Sequence, residues 1–235
     1  TKMRQEYPSY PEEAFRVSTD GCYYAEQVAK AREQRRIVPR VPLAPAPVNT
    51  FWDIGRGDMT AIWFHQQVGV EDRFVGYYEN TGEDLSHYVA EMLRRVYVFG
   101  THFLPHDATA RRIGKDADSN QTIKEMLEEL LPGHRFEVID RISNIQAGIQ
   151  QTRDCFASAV FDETACKQGL LRLANYRKAW DKTLGRWHDY PQHDDNSHGA
   201  DAFRQWAQAK TMKLGMLKGV QKPTKFRRHG SPMAI

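Results

Sequence analysis

Three aspartates and a histidine carry the chemistry that this sequence offers most directly. Asp53 closes an apolar run and precedes Ile54-Gly55, Asp107 closes His102-Phe103-Leu104-Pro105-His106, and Asp201 follows Ser197-His198-Gly199-Ala200. An acid at the end of a strand projects where the chain turns away from a sheet, so two such acids and one on a helix start can converge on one point. Ser197 is expected to cap that helix, with Asp201 in its first turn. His198 and Asp201, three residues apart, then share a helix face. Oxygen ligands with little sulfur or imidazole around them favour Mg2+ or Mn2+ over zinc. Two such ions, about 3.5–4 Å apart, activate a water and stabilise the leaving 3'-oxygen of a phosphodiester. Without cations, three aspartates brought together repel one another strongly. Taken singly, each of these acids also fits an ordinary turn or a solvated helix position.

The elements that must position these groups follow from periodicity. Strand-like runs at 48–53, 60–68 and 73–79 are separated by turns at Gly55-Arg56-Gly57-Asp58 and Gly69-Val70-Glu71-Asp72, which reads as an antiparallel meander. An amphipathic helix over 83–99 repeats Leu85, Val89, Met92, Leu93 and Val96 at helical spacing, and a short strand follows at 102–107. A helix over 122–131, a strand near 136–139 and helices over 144–158 and 164–178 complete the domain. Strands first, then strands alternating with helices, predict an α/β fold: a mixed sheet of meander plus parallel strands, with helices on both faces.

The division predicted along the chain has three parts. Residues 1–47 read as an arm and linker, because four prolines between 39 and 47 remove backbone donors and favour extended chain. Residues 48–210 form the domain, and 211–235 a basic tail. Between Lys210 and Arg228 stand seven Lys and Arg residues and no acid. The whole chain, 235 residues at a formal charge of +3, is too nearly balanced for charge alone to indicate nucleic acid. Cys22, Cys155 and Cys166 are odd in number and lack CxxC spacing, so reduced thiols are expected. No apolar run approaches the roughly 20 residues that cross a bilayer. A start at Thr1 suits a fragment of something longer.

In order and spacing, these motifs resemble the nuclease domain of the large terminase subunit of tailed bacteriophages. Glu6-Tyr7-Pro8 with Glu12-Glu13-Ala14-Phe15 resembles the segment after the terminase ATPase module. Trp52-Asp53-Ile54-Gly55 with Asp58 resembles the first nuclease motif, and Leu104-Pro105-His106-Asp107-Ala108 the second. The stretch from Asn175-Tyr176-Arg177 through Trp180-Asp181, Gly185, Pro191 and His193-Asp194 to Ser197-His198-Gly199-Ala200-Asp201-Ala202-Phe203-Arg204 resembles the third motif and its preceding hairpin. The resemblance implies an RNase H-like fold and the cutting of concatemeric viral DNA during packaging, in the host cytoplasm at the procapsid portal. It implies metal ligands at Asp53, Asp107 and Asp201 with His198 beside them, and Asp58 and Asp195 as secondary acids. The partners it implies are double-stranded DNA, the portal protein, the small terminase subunit and an ATPase domain in cis. The sequence has no GxxxxGK[ST] loop, so the motor is expected to lie outside this chain.

Aromatic and basic residues alternate from Tyr176 to His188 around a glycine turn, a pattern suited to phosphate contact and base stacking. Arg177, Lys178, Lys182 and Arg186 are the expected DNA contacts there, with Arg111 and Arg112 after the second acid. Two other readings fit the same residues: a non-catalytic module that docks on DNA or the portal, and a related nuclease of the resolvase or integrase type.

Overall fold

In the strands over residues 48–53, 59–68, 71–81 and 99–104, neighbouring apolar residues face opposite ways, and both faces of the sheet are buried. The computed structural model describes residues 19–55, 57–110 and 121–213. Strand β1 (Ile37–Val38) follows helix α1 (Ala25–Glu33). Strands β2 (Val48–Asp53), β3 (Met59–Val68) and β4 (Glu71–Thr81) form the predicted antiparallel meander. Helix α2 (Leu85–Leu93) leads to β5 (Phe99–Leu104), α3 (Ile123–Leu130) to β6 (Arg135–Val138), and α4 (Ile145–Cys155) to β7 (Ala159–Asp162). Helix α5 (Lys167–Asn175), the hairpin β8 (Lys178–Asp181) and β9 (Arg186–Pro191), and the long α6 (Asp195–Thr211) follow.

Seven strands make one mixed sheet in the order β1-β7-β4-β3-β2-β5-β6, in which β5 and β6 run parallel to β2. On one face Phe51, Trp63, Phe74, Phe103 and Phe161 pack against α1, α4, α5 and α6; on the other Trp52, Ile62, Phe64, Val75 and Leu104 pack against α2 and α3. The alternation Phe51/Trp52, Trp63/Phe64, Phe74/Val75 and Phe103/Leu104 is the two-residue period of a strand, apolar in both phases because helices cover both sides. Mixed sheet and two-sided helical cover are as predicted.

Three local expectations need correction. Residues 23–38, expected in an arm, supply Tyr23, Tyr24, Val28, Ala31 and Ile37 to the core, and β1 pairs with β7. The charged face of α1 hid a narrow apolar stripe that this core needs. The 83–99 helix stops at Leu93, leaving Leu93 and Val96 exposed, because the β-branched and aromatic run into Phe99 joins the sheet instead. Helix α6 is capped by Asp194, whose carboxylate accepts from the Asn196 N–H at 2.8 Å, so Asp201 falls in the second turn. Residues 1–18, Arg56 and the tail from 214 lie outside the described residues, as do Arg111 and Arg112.

Candidate active site

Because β2, β5 and β6 run parallel, their C-terminal ends meet at one edge of the sheet, where crevices in α/β folds form. Asp53 is the last residue of β2. Asp107 lies in a short 3-10 turn (His106–Thr109) just after β5. Asp53, Asp107 and Asp201 line one cleft of about 390 Å3, together with Asp140, Arg141, Arg204 and Gln205. Asp140 stands two residues past β6 and was missed in the sequence, although Ile139-Asp140 repeats the strand-end pattern that singled out Asp53.

Helix α6 brings the fourth wall. It is seated by packing: Phe203 has ring contacts at 4.8–5.8 Å with Trp63, Phe74, Phe156, Phe161 and Trp206. Removing such a ring costs about 3–5 kcal/mol. The hydrogen bond from Trp63 Nε1 to the Gly199 carbonyl, 2.8 Å, is worth about 1 kcal/mol net. Packing therefore sets the helix, and the hydrogen bonds set its register, helped by Gln205 Nε2 donating to the Trp52 carbonyl at 2.6 Å. Gly199 allows the close approach, since a Cβ there would stand 2.7 Å from the Tyr77 hydroxyl and 2.9 Å from Arg172 Cβ. Gly199→Ala is expected to lower stability by about 1–3 kcal/mol in a denaturant titration.

The charges are arranged in pairs. His198 Nδ1 lies 2.9 Å from Asp53 Oδ2, and His198 Nε2 3.2 Å from Asp58 Oδ2. Burial pushes the Asp53 carboxyl up to about 6, against the His198 hydrogen bond and with help from the Asp201 charge. The same hydrogen bond to Asp53 raises His198 above the usual imidazole value, and burial opposes it. Asp58 is held below the usual carboxylate range, first by the Met59 N–H, which donates to its Oδ1 at 2.8 Å. Arg204 Nη1 donates to Asp201 Oδ1 at 2.7 Å. Tyr176 has its hydroxyl 3.5 Å from the same oxygen, and burial followed by the Asp201 charge keeps it a phenol. Asp195 is exposed, 3.9 Å from Arg172, and does not line the cleft.

A hard divalent cation fits this cleft on two grounds. The donor set is carboxylate oxygen, and Gln205 keeps a buried Oε1 with no hydrogen-bond partner there. Arg204 and His198 partly neutralise the acids, while burial first and the Asp201 charge after it act against the ionised Asp53.

Strands β8 and β9 form the expected hairpin, with Trp180 opposite Trp187 and Gly185 at φ +61 in the turn. Asp181 Oδ1 accepts from the Thr183 and Leu184 N–H groups, and Trp187 packs on Gly21 and donates to Asp20 at 3.1 Å. Lys182 and Arg186 are exposed at the tip; Arg177 and Lys178 are half-buried at its base, with Lys178 3.7 Å from Asp189.

No family model and no curated protein sequence matches the chain. Solved structures do. The large terminase of a thermophilic bacteriophage in complex with ADP is similar with a TM-score of 0.58 at 16% identity, over 80% of this chain and 45% of that one. The P22 large terminase nuclease domain is similar at 0.55 and 13% identity, over 75% and 88%. For the large terminase nuclease from thermophilic phage G20c with bound magnesium the figures are 0.52 and 12%, over 80% and 96%. This chain thus spans less than half of the first protein and most of the two nuclease domains. Its fold is the RNase H-like α/β fold of the large-terminase nuclease domains.

Proposed function

We propose that the chain is a metal-dependent endonuclease that cuts concatemeric double-stranded viral DNA during genome packaging. The observation that carries this reading is the cleft itself: Asp53, Asp107 and Asp201, with Asp140, line one crevice at the ends of three parallel strands in a fold shared with terminase nucleases. The G20c nuclease carries magnesium in one solved form and cobalt in another, which supports Mg2+ or Mn2+ here. Asp53, Asp107 and Asp201 would hold two such ions, with Asp140 at the rim. When bound, divalent ions supply the charge that activates a water and stabilises the leaving 3'-oxygen.

The chain's own groups position and neutralise. His198 holds Asp53 by a hydrogen bond, and Arg204 orients Asp201. Lys178, Lys182 and Arg186 on the hairpin, with Arg177 just before it, would be the phosphate contacts, and Trp180 and Tyr190 are exposed for stacking on bases. In the whole protein the ATPase domain in cis, the portal and the small terminase subunit would supply DNA movement and site choice.

Incubating the purified chain with supercoiled plasmid in Mg2+ or Mn2+ tests the reading. Nicked and linear products are expected. Intact plasmid across both ions would leave only a docking module, and preference for four-way junctions over duplex would point to a resolvase. DNA affinity should fall steeply with salt. Replacing Lys182 and Arg186 with Ala should reduce the slope of log affinity against log salt by about one per lost phosphate contact, about two in all. An unchanged slope in fluorescence anisotropy would remove the hairpin from the interface.

A further inference from the structure

A second set of ligating side chains adjoins the acid cleft and has different chemistry. Among the described residues, Asp58, His193 and His198 are the one group of three acid, thiol or imidazole side chains whose ligand atoms all lie within 4.8 Å of one another. Asp58 Oδ2 is 3.2 Å from His198 Nε2 and 3.4 Å from His193 Nε2. Bonds of about 2.0–2.2 Å to an ion at the tetrahedral angle separate neighbouring ligand atoms by about 3.3–3.6 Å. The observed spacings therefore lie close to those of a tetrahedral site.

The hydrogen bonds behind these atoms point the same way. A ligating imidazole normally gives its other N–H to a carboxylate or another oxygen, which fixes the tautomer and frees the ligating nitrogen. His198 Nδ1 faces Asp53 Oδ2 at 2.9 Å. His193 Nδ1 faces Ser197 Oγ at 3.2 Å, and that hydroxyl spends its own proton on the Asp194 carbonyl at 2.7 Å, so it is left as an acceptor. Asp58 Oδ1 is taken by the Met59 N–H, which leaves Oδ2 toward the imidazoles. All three groups thus have the far atom engaged and the near atom turned to a common point.

We infer that Asp58, His193 and His198 form a binding site for a borderline transition-metal ion of the Zn2+ or Co2+ class, separate from the carboxylate cleft although His198 adjoins both. Two imidazoles and one carboxylate suit such an ion far better than Mg2+, which prefers all-oxygen octahedral surroundings. An ion there would stand one side chain away from Asp53 and hold His198 as a neutral imidazole whose N–H is given to that acid.

The test titrates the 235-residue chain with Co2+, reading visible absorption and calorimetry, since imidazole-bound cobalt of low coordination absorbs strongly and an all-oxygen octahedral ion weakly. Wild-type and Asp107→Asn chains are expected to develop the strong band and to lose it on adding Zn2+. His193→Ala should lose the band, with affinity at least about tenfold lower, and Ser197→Ala, which removes no ligand, should weaken binding by about tenfold. His193 is exposed, so its variant should melt at the wild-type temperature without metal. A His193→Ala chain with unchanged band and affinity overturns the site. So does a band lost equally in Asp107→Asn, which would assign the ion to the acid cleft. Neither readout depends on DNA cleavage, so failure of the nuclease reading and failure of this site are separately visible.

Discussion

Asp53→Asn is expected to reduce Mn2+-dependent plasmid cleavage at least about a thousandfold, because charge stabilisation by a held ion is worth several kcal/mol and each 1.36 kcal/mol is a factor of ten. The same substitution should leave the metal-free melting temperature unchanged or higher. Burial lifts the Asp53 carboxyl to about 6 from its ordinary value of 3.8, so the fold disfavours its ionised form. For a group raised in this way, the folded state binds more protons than the unfolded one between those two values. Stability therefore declines as pH rises through that window, and above it the full cost is present. An amide of nearly the same shape escapes this cost and still accepts from His198. Mn2+ should raise the melting temperature of the wild-type chain, by mass action on the folded state, and leave the Asn variant nearly unmoved. A variant that cuts at the wild-type rate would remove Asp53 from the site. One that loses cleavage only by unfolding would make its role structural.

The sequence made this acid legible because a strand end is a local signal: an apolar run, one carboxylate, then Ile-Gly. Asp107 and Asp140 share only the first two parts of that signal, an apolar run and then a carboxylate, and are followed by Ala-Thr and Arg-Ile. What makes the ends of β2, β5 and β6 one place is parallel pairing, and pairing is a long-range property that no window of residues contains. The same limit explains β7. Its four residues fall between the helices expected over 144–158 and 164–178, and only their place between β1 and β4 gives them a partner on each side. His193 shows a third case. It lies in a loop with no periodicity, exposed, and its significance depends on Asp58, which is brought near it by the turn between β2 and β3. The cap of α6 was misplaced by three residues because Asp194 and Ser197 are both good N-cap types, and the choice between them is made by the packing of Phe203 and Trp206, which sets where the helix must start.

That packing has an electrostatic counterpart at the far end of α6, where Asp72→Asn is expected to cost about 3–5 kcal/mol, the usual penalty for breaking a buried, hydrogen-bonded charge group. Asp72 lies on β4, fully buried. It accepts from His65 Nε2 at 2.9 Å, Ser158 Oγ at 2.7 Å, Trp206 Nε1 at 3.1 Å and the Lys210 ammonium. Burial alone would raise its carboxyl, but the bonds from His65, Lys210 and Ser158 outweigh burial and hold it well below the usual carboxylate range. A depressed carboxyl contributes stability that is present above its unfolded value, 3.8, and drains away as pH falls toward the folded one. Wild-type stability should therefore drop steeply below about pH 4, while the Asn variant, already lower at neutral pH, should show a flatter acid limb. Urea titrations at several pH values between 2 and 7 read both quantities. A loss under about 1 kcal/mol, or parallel acid limbs, would mean that the network contributes little beyond the packing around it. Because Trp206 and Lys210 belong to the helix that carries His198 and Asp201, loosening this anchor should also let the N-terminal half of α6 shift against β2. A geometry lost by even about 1 Å costs catalysis about a hundredfold. An Asp72→Asn chain that still folds at pH 7 is thus expected to cut poorly despite keeping every residue of the cleft, which would tie the site's chemistry to a carboxylate that never touches it.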